Sequence, residues 1–208
     1  MQTQIIPAEE ASLRIAAAAL RAGALVAYPT DTVYGVGAHA FLPEAVARLY
    51  RAKGRGEAKP IALLLADPGD LDLVAATVSP TARRLAERLW PGALTLVVPS
   101  RAEVPAVVRA GGQTVGVRVP NHPVARALIR ATGAPLATTS ANLSGEPSPT
   151  TAAEVQAQLG GLIEFIIEGV CPGGVASTVV DPSVDPPRIL RQGAISRAEL
   201  AAALGRPL

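Results

Sequence analysis

Apolar positions recur with helical spacing in some parts of the chain and form short continuous or alternating runs in others. The helical pattern predicts six helices, at residues 8–22, 43–53, 79–90, 123–132, 151–159 and 196–205. The short runs predict eight strands, at residues 24–28, 61–66, 93–98, 115–119, 135–139, 164–168, 177–181 and 188–191. Since helices and strands are mixed throughout, the pattern predicts an α/β fold with a twisted sheet of parallel and antiparallel strands, flanked by helices.

Several predicted helices carry start signals in their own sequence. Ser79 stands before a proline, as an N-cap residue often does. Thr151 with Glu154, and Ser196 with Glu199, have the spacing of a capping box. No repeat, low-complexity tract or long linker divides the chain, so we predict a single domain over residues 1–208 with its core at about 10–196.

The composition limits the class of protein. A chain of 208 residues that is 49% hydrophobic and 3% aromatic can bury a sizeable, mainly aliphatic core. No apolar run reaches the roughly 18 residues of a membrane span, and the N-terminus lacks the pattern of a secretory signal. The lone Cys171 fits a reducing compartment and, with only two histidines, argues against a zinc site. We therefore expect a soluble, cytoplasmic protein.

The net charge of only +2 indicates little about function, but the distribution of lysine and arginine is informative. Two of the 19 basic residues are lysines, and both Lys53 and Lys59 lie in the stretch KGRGEAKP, with Arg55 between them. Cations at a helix end complement the helix dipole, which accounts for Lys53 but not for Lys59. A polyphosphate would account for all three, with the lysines as point charges and the arginine as a planar fork.

The stretch PTDTVYGVG at residues 29–37 places hydroxyl groups and a carboxylate directly after a predicted strand. Strand ends often face a ligand crevice, although such residues also form turns that satisfy their own backbone. Gly35 to Ala40 match GxGxxA, but six residues separate this match from the strand, which argues against a dinucleotide fingerprint. The chain also lacks a P-loop motif.

Two further features favour an anionic ligand. Arg118 is a charged residue in the otherwise apolar strand VGVRV, so it either pairs with an internal carboxylate or points into a cleft. Residues 138–142, TTSAN, gather short donors and acceptors at the end of a strand, where they could hold phosphate or carboxylate oxygens. A turn before a capped helix would account for Thr150 and Thr151 but leaves residues 138–142 unexplained.

Seven stretches of the chain occur in the order found in one family, and they read PTDTVYGVGA, KGRGEAKP, WPGALTLVV, VGVRVPNHP, TTSANLSGEPSPTT, STVVD and ILRQGAIS. Over residues 20–196 the chain therefore resembles the YrdC-like threonylcarbamoyl-AMP synthases, in a short form with the core domain only. The resemblance implies a YrdC-like fold with a large concave cleft. It also implies condensation of L-threonine, bicarbonate or CO2, and ATP to threonylcarbamoyl-AMP and pyrophosphate.

The resemblance also implies roles for individual residues. It implies catalytic roles for Lys53, Arg55, Ser140 and Asn142. It implies ATP contacts for Arg55, Lys59, Thr114, Ser140, Ser148 and Arg191, and threonine contacts for Thr32, Arg118, Thr138 and Ser177. Two positions depart from the family pattern, because Gly56 stands where a proline is common and Leu64 where some longer members have histidine.

The implied cofactors and partners follow from the same resemblance. ATP is a substrate, Mg²⁺ is expected to be held by ATP and water rather than by a protein metal site, and no zinc is expected. The product would pass to the tRNA threonylcarbamoyl-transferase proteins, and tRNA itself is a further possible partner. The alternatives to a synthase are a non-catalytic module that binds double-stranded RNA or tRNA, and a carbamoyl-transfer domain like that of hydrogenase maturation proteins.

Overall fold

Ten strands form one sheet in the computed structural model, which describes residues 2–54, 56 and 59–207. The strands are β1 (Gln4–Ile6), β2 (Val26–Tyr28), β3 (Gly35–His39), β4 (Ala62–Leu64), β5 (Leu94–Pro99), β6 (Thr114–Arg118), β7 (Leu136–Ser140), β8 (Phe165–Ile167), β9 (Thr178–Asp181) and β10 (Arg188–Arg191). The helices are α1 (Glu10–Arg21), α2 (Pro43–Lys53), α3 (Pro80–Leu89), α4 (Pro123–Thr132), α5 (Ala152–Leu159) and α6 (Arg197–Leu204), with a 3-10 helix at Pro68–Leu73.

The sheet is mixed, with the strand order β1-β8-β2-β3-β7-β4-β6-β5-β9-β10. Strand β8 runs parallel to both β1 and β2, β4 is parallel to β6, and β5 is parallel to β9. The remaining neighbours are antiparallel. The predicted fold class, a mixed sheet flanked by helices, is therefore confirmed.

Side-chain caps account for the starts of three helices, α3, α5 and α6. The hydroxyl of Ser79 accepts a hydrogen bond from the backbone N–H of Ala82 at 3.1 Å, at the start of α3. Thr151 with Glu154 and Ser196 with Glu199 form the two predicted capping boxes, at the starts of α5 and α6.

The two faces of the sheet are covered differently, because successive strand side chains point to opposite faces. One face packs against α2, α3, α5 and α6, with side chains such as Leu49, Leu85 and Leu159 in this larger core. The other face is covered only in part, by α1 and α4, which pack against each other and against Val26 and Tyr28. The rest of this second face, over β4 to β7 and β9, is left open by the helices of the described chain.

Two strands and the 3-10 helix were not predicted. The GxGxxA stretch is mostly strand β3, and its glycines are explained by close packing rather than by a phosphate turn. A Cβ atom on Gly37 would lie 3.1 Å from the hydroxyl oxygens of Tyr28 and Thr138, and one on Gly35 would lie 2.9 Å from the methyl of Thr138. Strand β1 escaped prediction because it has only three residues and pairs along the sheet with the distant β8.

In the described ranges, none of the helices combines the length and the apolar character needed to cross a membrane.

Candidate ligand-binding cleft

The open part of the second face forms a cleft with a volume of about 390 Å³. Side chains of the central strands β4 to β7 line it, together with the loop after β2, Ser148, and residues of β9 and β10. Gly116 keeps the floor low, because a Cβ atom there would lie 3.1 Å from the methyl of Thr95 and 3.6 Å from the Cβ of Ala62. The cleft is thus floored by small side chains and bordered by polar ones.

Arg118 on β6 enters this cleft with its guanidinium largely buried, the side chain being 7% exposed. Its Nε donates to the carbonyl of Gly92 at 2.9 Å, one terminal nitrogen donates to Thr32 Oγ1 at 2.9 Å, and the other donates to Asp31 Oδ1 at 2.6 Å. Burial lowers the pKa of Arg118, and the Asp31 carboxylate opposes that shift. The two alternatives that the sequence left open for Arg118 are therefore both correct, since Arg118 pairs with a carboxylate and also faces a cleft.

A guanidinium has five N–H groups, and three of those on Arg118 have a partner among the described residues. One N–H on each terminal nitrogen therefore remains for a ligand. Two N–H groups on adjacent nitrogens are the number that a carboxylate uses in a bidentate pair.

The hydroxyl of Thr32 is restricted to accepting from a ligand. Thr30 Oγ1 donates its proton to the carbonyl of Val33 at 2.7 Å, so Thr32 must be the donor in the 3.0 Å contact between the two threonine hydroxyls. Thr32 Oγ1 already accepts from Arg118 and keeps one lone pair. A ligand ammonium or hydroxyl group could donate to that lone pair, whereas a carboxylate could not.

Thr138 on β7 has the same restriction. Its hydroxyl donates to the carbonyl of Leu136 at 3.1 Å, so the fully buried Tyr28 is the donor in the 2.6 Å contact between Tyr28 Oη and Thr138 Oγ1. Burial raises the pKa of Tyr28, which keeps its phenol protonated and able to donate. Thr138 therefore offers one acceptor position, as Thr32 does.

Lys53 holds the turn after β7 in shape. Its side chain is buried at the end of α2, and its ammonium donates to the carbonyl oxygens of Ser140 and Asn142, the latter at 2.5 Å. The Asn142 amide in turn donates to the carbonyls of Leu143 and Glu146, at 2.7 and 2.8 Å. Lys53 and Asn142 thus set the backbone path that presents Ser140 to the cleft.

In the same cleft, Arg191 of β10 and Ser177 lie beside Thr95 of β5, the strand next to β6. Arg191 donates to the Ser177 carbonyl at 2.8 Å and to its hydroxyl at 3.1 Å. The hydroxyls of Ser177 and Thr95 are 2.9 Å apart. A second group of polar side chains therefore lies on the β5 and β10 side of Arg118.

The structure brings most of the predicted residues to one place. The predicted residues that line the cleft are Thr32, Arg118, Thr138, Ser140, Ser148, Ser177 and Arg191. Thr114 is exposed two residues before Gly116 on the same face of β6, and Lys59 is exposed beside Pro60, a lining residue. Arg55 lies outside the described residues. The departure at Leu64 places an apolar side chain on the cleft floor.

Sequence reasoning missed Asp31 and Thr95 as individual site residues. Thr95 could have been found, because it is a polar residue in the apolar run ALTLVV and is buried at 4% exposure, the same signal that singled out Arg118. Asp31 is visible in the sequence only as a turn residue, since its partner Arg118 is 87 positions away.

Cys171 supports the loop after β2 and is not set up as a nucleophile. Its sulfur accepts from the backbone N–H of Thr30 at 3.3 Å, and the residue is buried. Burial raises the pKa of its thiol to about 11, so the thiol is neutral near pH 7.

The fold and the cleft together define an α/β protein with a polar, arginine-containing cleft on the open face of a mixed sheet. The chain belongs to the Sua5/YciO/YrdC family, whose sequence model carries the description "Telomere recombination" and matches residues 18–193. The predicted family resemblance is thereby confirmed.

Two relatives and one solved structure give the scale of the similarity. The chain is 44% identical over 198 residues to the threonylcarbamoyl-AMP synthase of Pyrococcus abyssi, covering 95% of this chain and 58% of that protein. It is 45% identical over 192 residues to the threonylcarbamoyl-AMP synthase of Bacillus subtilis, covering 91% and 56%. The crystal structure of P. abyssi Sua5 complexed with L-threonine matches with a TM-score of 0.95 and 43% identity, over 99% of this chain and 62% of that one. The chain thus spans somewhat more than half the length of these relatives.

Proposed function

We propose that this chain is an L-threonylcarbamoyladenylate synthase, a nucleotidyltransferase that joins L-threonine, bicarbonate or CO2, and ATP. The observation that carries the proposal is the arrangement around Arg118. Two N–H groups suited to a carboxylate stand beside two hydroxyls, Thr32 and Thr138, that can only accept from a ligand. A carboxylate next to an amine and a hydroxyl is the polar pattern of threonine. A relative crystallised with L-threonine supports the same reading.

In the amino-acid half of the site, Arg118 would pair with the threonine carboxylate. Thr32 and Thr138 would accept from its amine and its hydroxyl, and Ser177 would complete the threonine contacts. Because Arg118 is largely buried, such a pair would be shielded from water and correspondingly strong.

The nucleotide half would use the remaining predicted residues. Ser140 and Ser148 would offer hydroxyls to phosphate oxygens, and Arg191 would add a second positive charge to the cleft. Thr114 and Lys59 would contact ATP from the exposed margin, with Arg55 beside Lys59 in the chain. Lys53 and Asn142 would act by holding the turn that carries Ser140.

The proposed reaction needs alignment and charge neutralisation more than a nucleophilic side chain. The neutral threonine amine adds to CO2 and loses a proton, which gives a carbamate. A carbamate oxygen then attacks the α-phosphorus of ATP, the bond to the β-phosphate oxygen breaks, and pyrophosphate leaves. Threonylcarbamoyl-AMP and pyrophosphate together account for every atom of the carbamate and ATP.

The protein does not supply a metal-binding cluster for this reaction within the part of the chain that is described. No three His, Cys, Asp or Glu side chains there come together to hold an ion. Mg²⁺ would therefore accompany the triphosphate, held by phosphate oxygens and water.

The product would be used to make threonylcarbamoyladenosine next to the anticodon of tRNA. We propose that it passes, in the cytoplasm, to the proteins that transfer the threonylcarbamoyl group onto tRNA. The reactive mixed anhydride in such a product favours prompt transfer to a partner.

Pyrophosphate release from ATP tests this function, with threonine and bicarbonate each omitted in turn. We expect release only when both are present, with threonylcarbamoyl-AMP as the second product. Equal AMP and pyrophosphate formation without threonine would reject the proposal. RNA affinity that falls steeply with salt, in the absence of any ATP turnover, would instead favour an RNA-binding module.

A further inference from the structure

Asp31 lies behind Arg118 and is tied at two points. Its Oδ1 accepts from a terminal nitrogen of Arg118 at 2.6 Å and from the backbone N–H of Asn121 at 3.0 Å. We infer that Asp31 is a positioning residue, which fixes the direction in which the free N–H groups of Arg118 point. This inference rests on the proposed function, because it assigns to Asp31 the orientation of the group that receives the threonine carboxylate.

Arg118 needs such a partner because it reaches the cleft on a long side chain. Its three bonds go to two segments, at Gly92 and at the adjacent residues Asp31 and Thr32, and Asp31 provides the charged acceptor. All three bonds are charge-assisted by the guanidinium, and the bond to Asp31 is the strongest because its acceptor is charged as well. Loss of Asp31 would therefore leave the guanidinium with its two weaker anchors and more freedom to turn.

Asp31 itself is unable to follow a turning guanidinium. Asn121 belongs to the loop between β6 and α4, so its N–H holds the Asp31 carboxylate from outside the loop that carries Asp31. The backbone of that loop is also packed tightly, because a Cβ atom on Gly173 would lie 2.5 Å from the carbonyl oxygen of Asp31. The pair therefore has one preferred geometry.

The alternative is that the Asp31–Arg118 ion pair only stabilises the fold, and the chain contains a similar but more exposed pair for comparison. Glu164 also accepts from one backbone N–H, that of Leu25 at 2.8 Å, and from one guanidinium, that of Arg48 at 2.6 Å. Neither Glu164 nor Arg48 lines the cleft. Substitution of Glu164 therefore reports what the loss of such a pair does to stability alone.

The test compares Asp31→Ala, Asp31→Asn and Asp31→Glu with Glu164→Ala, using calorimetric titration with L-threonine and with ATP, and melting temperatures. Asp31→Ala should weaken threonine binding by roughly tenfold or more, with ATP binding unchanged. Asp31→Asn keeps an oxygen that can accept from both donors but loses the charge, so its threonine affinity should lie between those of Asp31→Ala and the parent. Glu164→Ala should lower the melting temperature without changing either affinity.

Asp31→Glu keeps the charge but lengthens the side chain by one methylene, which displaces the guanidinium. It should lose threonine affinity while remaining folded, so it can replace Asp31→Ala in the test if that variant does not fold. Unchanged threonine affinity in a folded Asp31→Ala or Asp31→Glu protein would overturn the positioning role. Equal losses of threonine and ATP affinity would do the same, because they would indicate a general structural effect.

A measurement without ligand separates this inference from the proposed function. In 15N-labelled protein, the guanidinium N–H groups of Arg118 should exchange with water more slowly in the parent than in Asp31→Ala. Equal exchange rates would overturn the positioning role whatever the protein binds. If the parent binds no threonine but shows the slow exchange, the proposed function fails and the positioning of Arg118 stands.

Discussion

The ammonium of Lys53 lies 2.5 Å from the carbonyl oxygen of Asn142, which is 89 positions later in the chain. This bond joins the end of α2 to the turn after β7 and leaves Lys53 only 2% exposed. The sequence had suggested that Lys53 and Lys59 both need a compact ammonium for a phosphate. The structure gives Lys53 a second reason for that shape, because the ammonium is buried between two backbone carbonyls, where we expect a wider guanidinium to overpack the site.

Exchange of each lysine for arginine should therefore give two different results. Lys53→Arg should lose stability, by roughly 1–3 kcal/mol from overpacking a buried site, as well as turnover. Lys59→Arg, at an exposed position, should keep the parent melting temperature and lose turnover if the ammonium shape matters at the phosphate. Thermal melting and synthesis of threonylcarbamoyl-AMP check both.

Two outcomes would contradict this reading of the lysines. A parent-like melting temperature for Lys53→Arg would mean that the buried site tolerates the larger group. Near-normal synthesis by Lys59→Arg would mean that only the positive charge is needed at position 59.

Arg118→Ala should weaken threonine binding far more than ATP binding. The expected loss is about 2–5 kcal/mol, because the guanidinium is buried and the ligand carboxylate would lose a desolvated partner. Arg118→Lys serves as the control, since it keeps the charge but lacks the fork that also holds Asp31 and Thr32. We expect it to recover little affinity in calorimetric titrations. Unchanged threonine affinity in a folded Arg118→Ala protein would remove Arg118 from the threonine site.

Thr138→Val should destabilise the protein by roughly 1–3 kcal/mol, because the buried Tyr28 hydroxyl would lose its 2.6 Å partner. Valine has nearly the same shape as threonine, so packing changes little. Thr138→Ser keeps the hydroxyl and loses the methyl that lies over Gly35, and it should cost less. Chemical denaturation measures both variants, and a valine variant as stable as the serine variant would show that the hydroxyl pair adds nothing.

Cys171 should make stability depend on pH in the alkaline range. Burial raises the pKa of its thiol from the usual 9.0 to about 11 in the folded state. Below pH 9 the thiol is protonated in both states, and its contribution is intact. Between about pH 9 and 11 the unfolded thiol ionises first, so the free energy of unfolding should fall.

Cys171→Ala provides the comparison, measured by denaturant unfolding between pH 8 and 11. The parent should lose stability over that range more steeply than the variant. Parallel curves would show that the thiol ionises equally in both states. At pH 8, thiol-reactive reagents should also label the native parent much more slowly than the unfolded chain.

The helices and the class of fold were predictable because their signals are local. The capping residues Thr151 and Ser196 and the apolar runs each act within a few positions of the chain. Strand β3 was not predictable in this way. The reason for Gly35 and Gly37 is the side chains of Tyr28 and Thr138, which come from two other strands.

The residues of the candidate site likewise fall into those with a local signal in the sequence and those without one. Arg118 and Thr32 could be singled out because a charge in an apolar strand and hydroxyls at a strand end are visible locally. The burial of Lys53 and the role of Asp31 could not, because each depends on a partner more than 80 positions away. Sequence patterns identify the polar residues, and tertiary contacts determine the hydrogen-bond partners of each one.

Strand β8 lies between β1 and β2 in the sheet, although it comes after residue 160 in the chain. During synthesis, β1 and β2 therefore lack their neighbour in the sheet until β8 has been made. The cleft is completed later, because its lining residues Ser177 and Arg191 follow β8 in the chain. A nascent chain that has not yet reached β10 would lack Arg191 and therefore one side of the cleft.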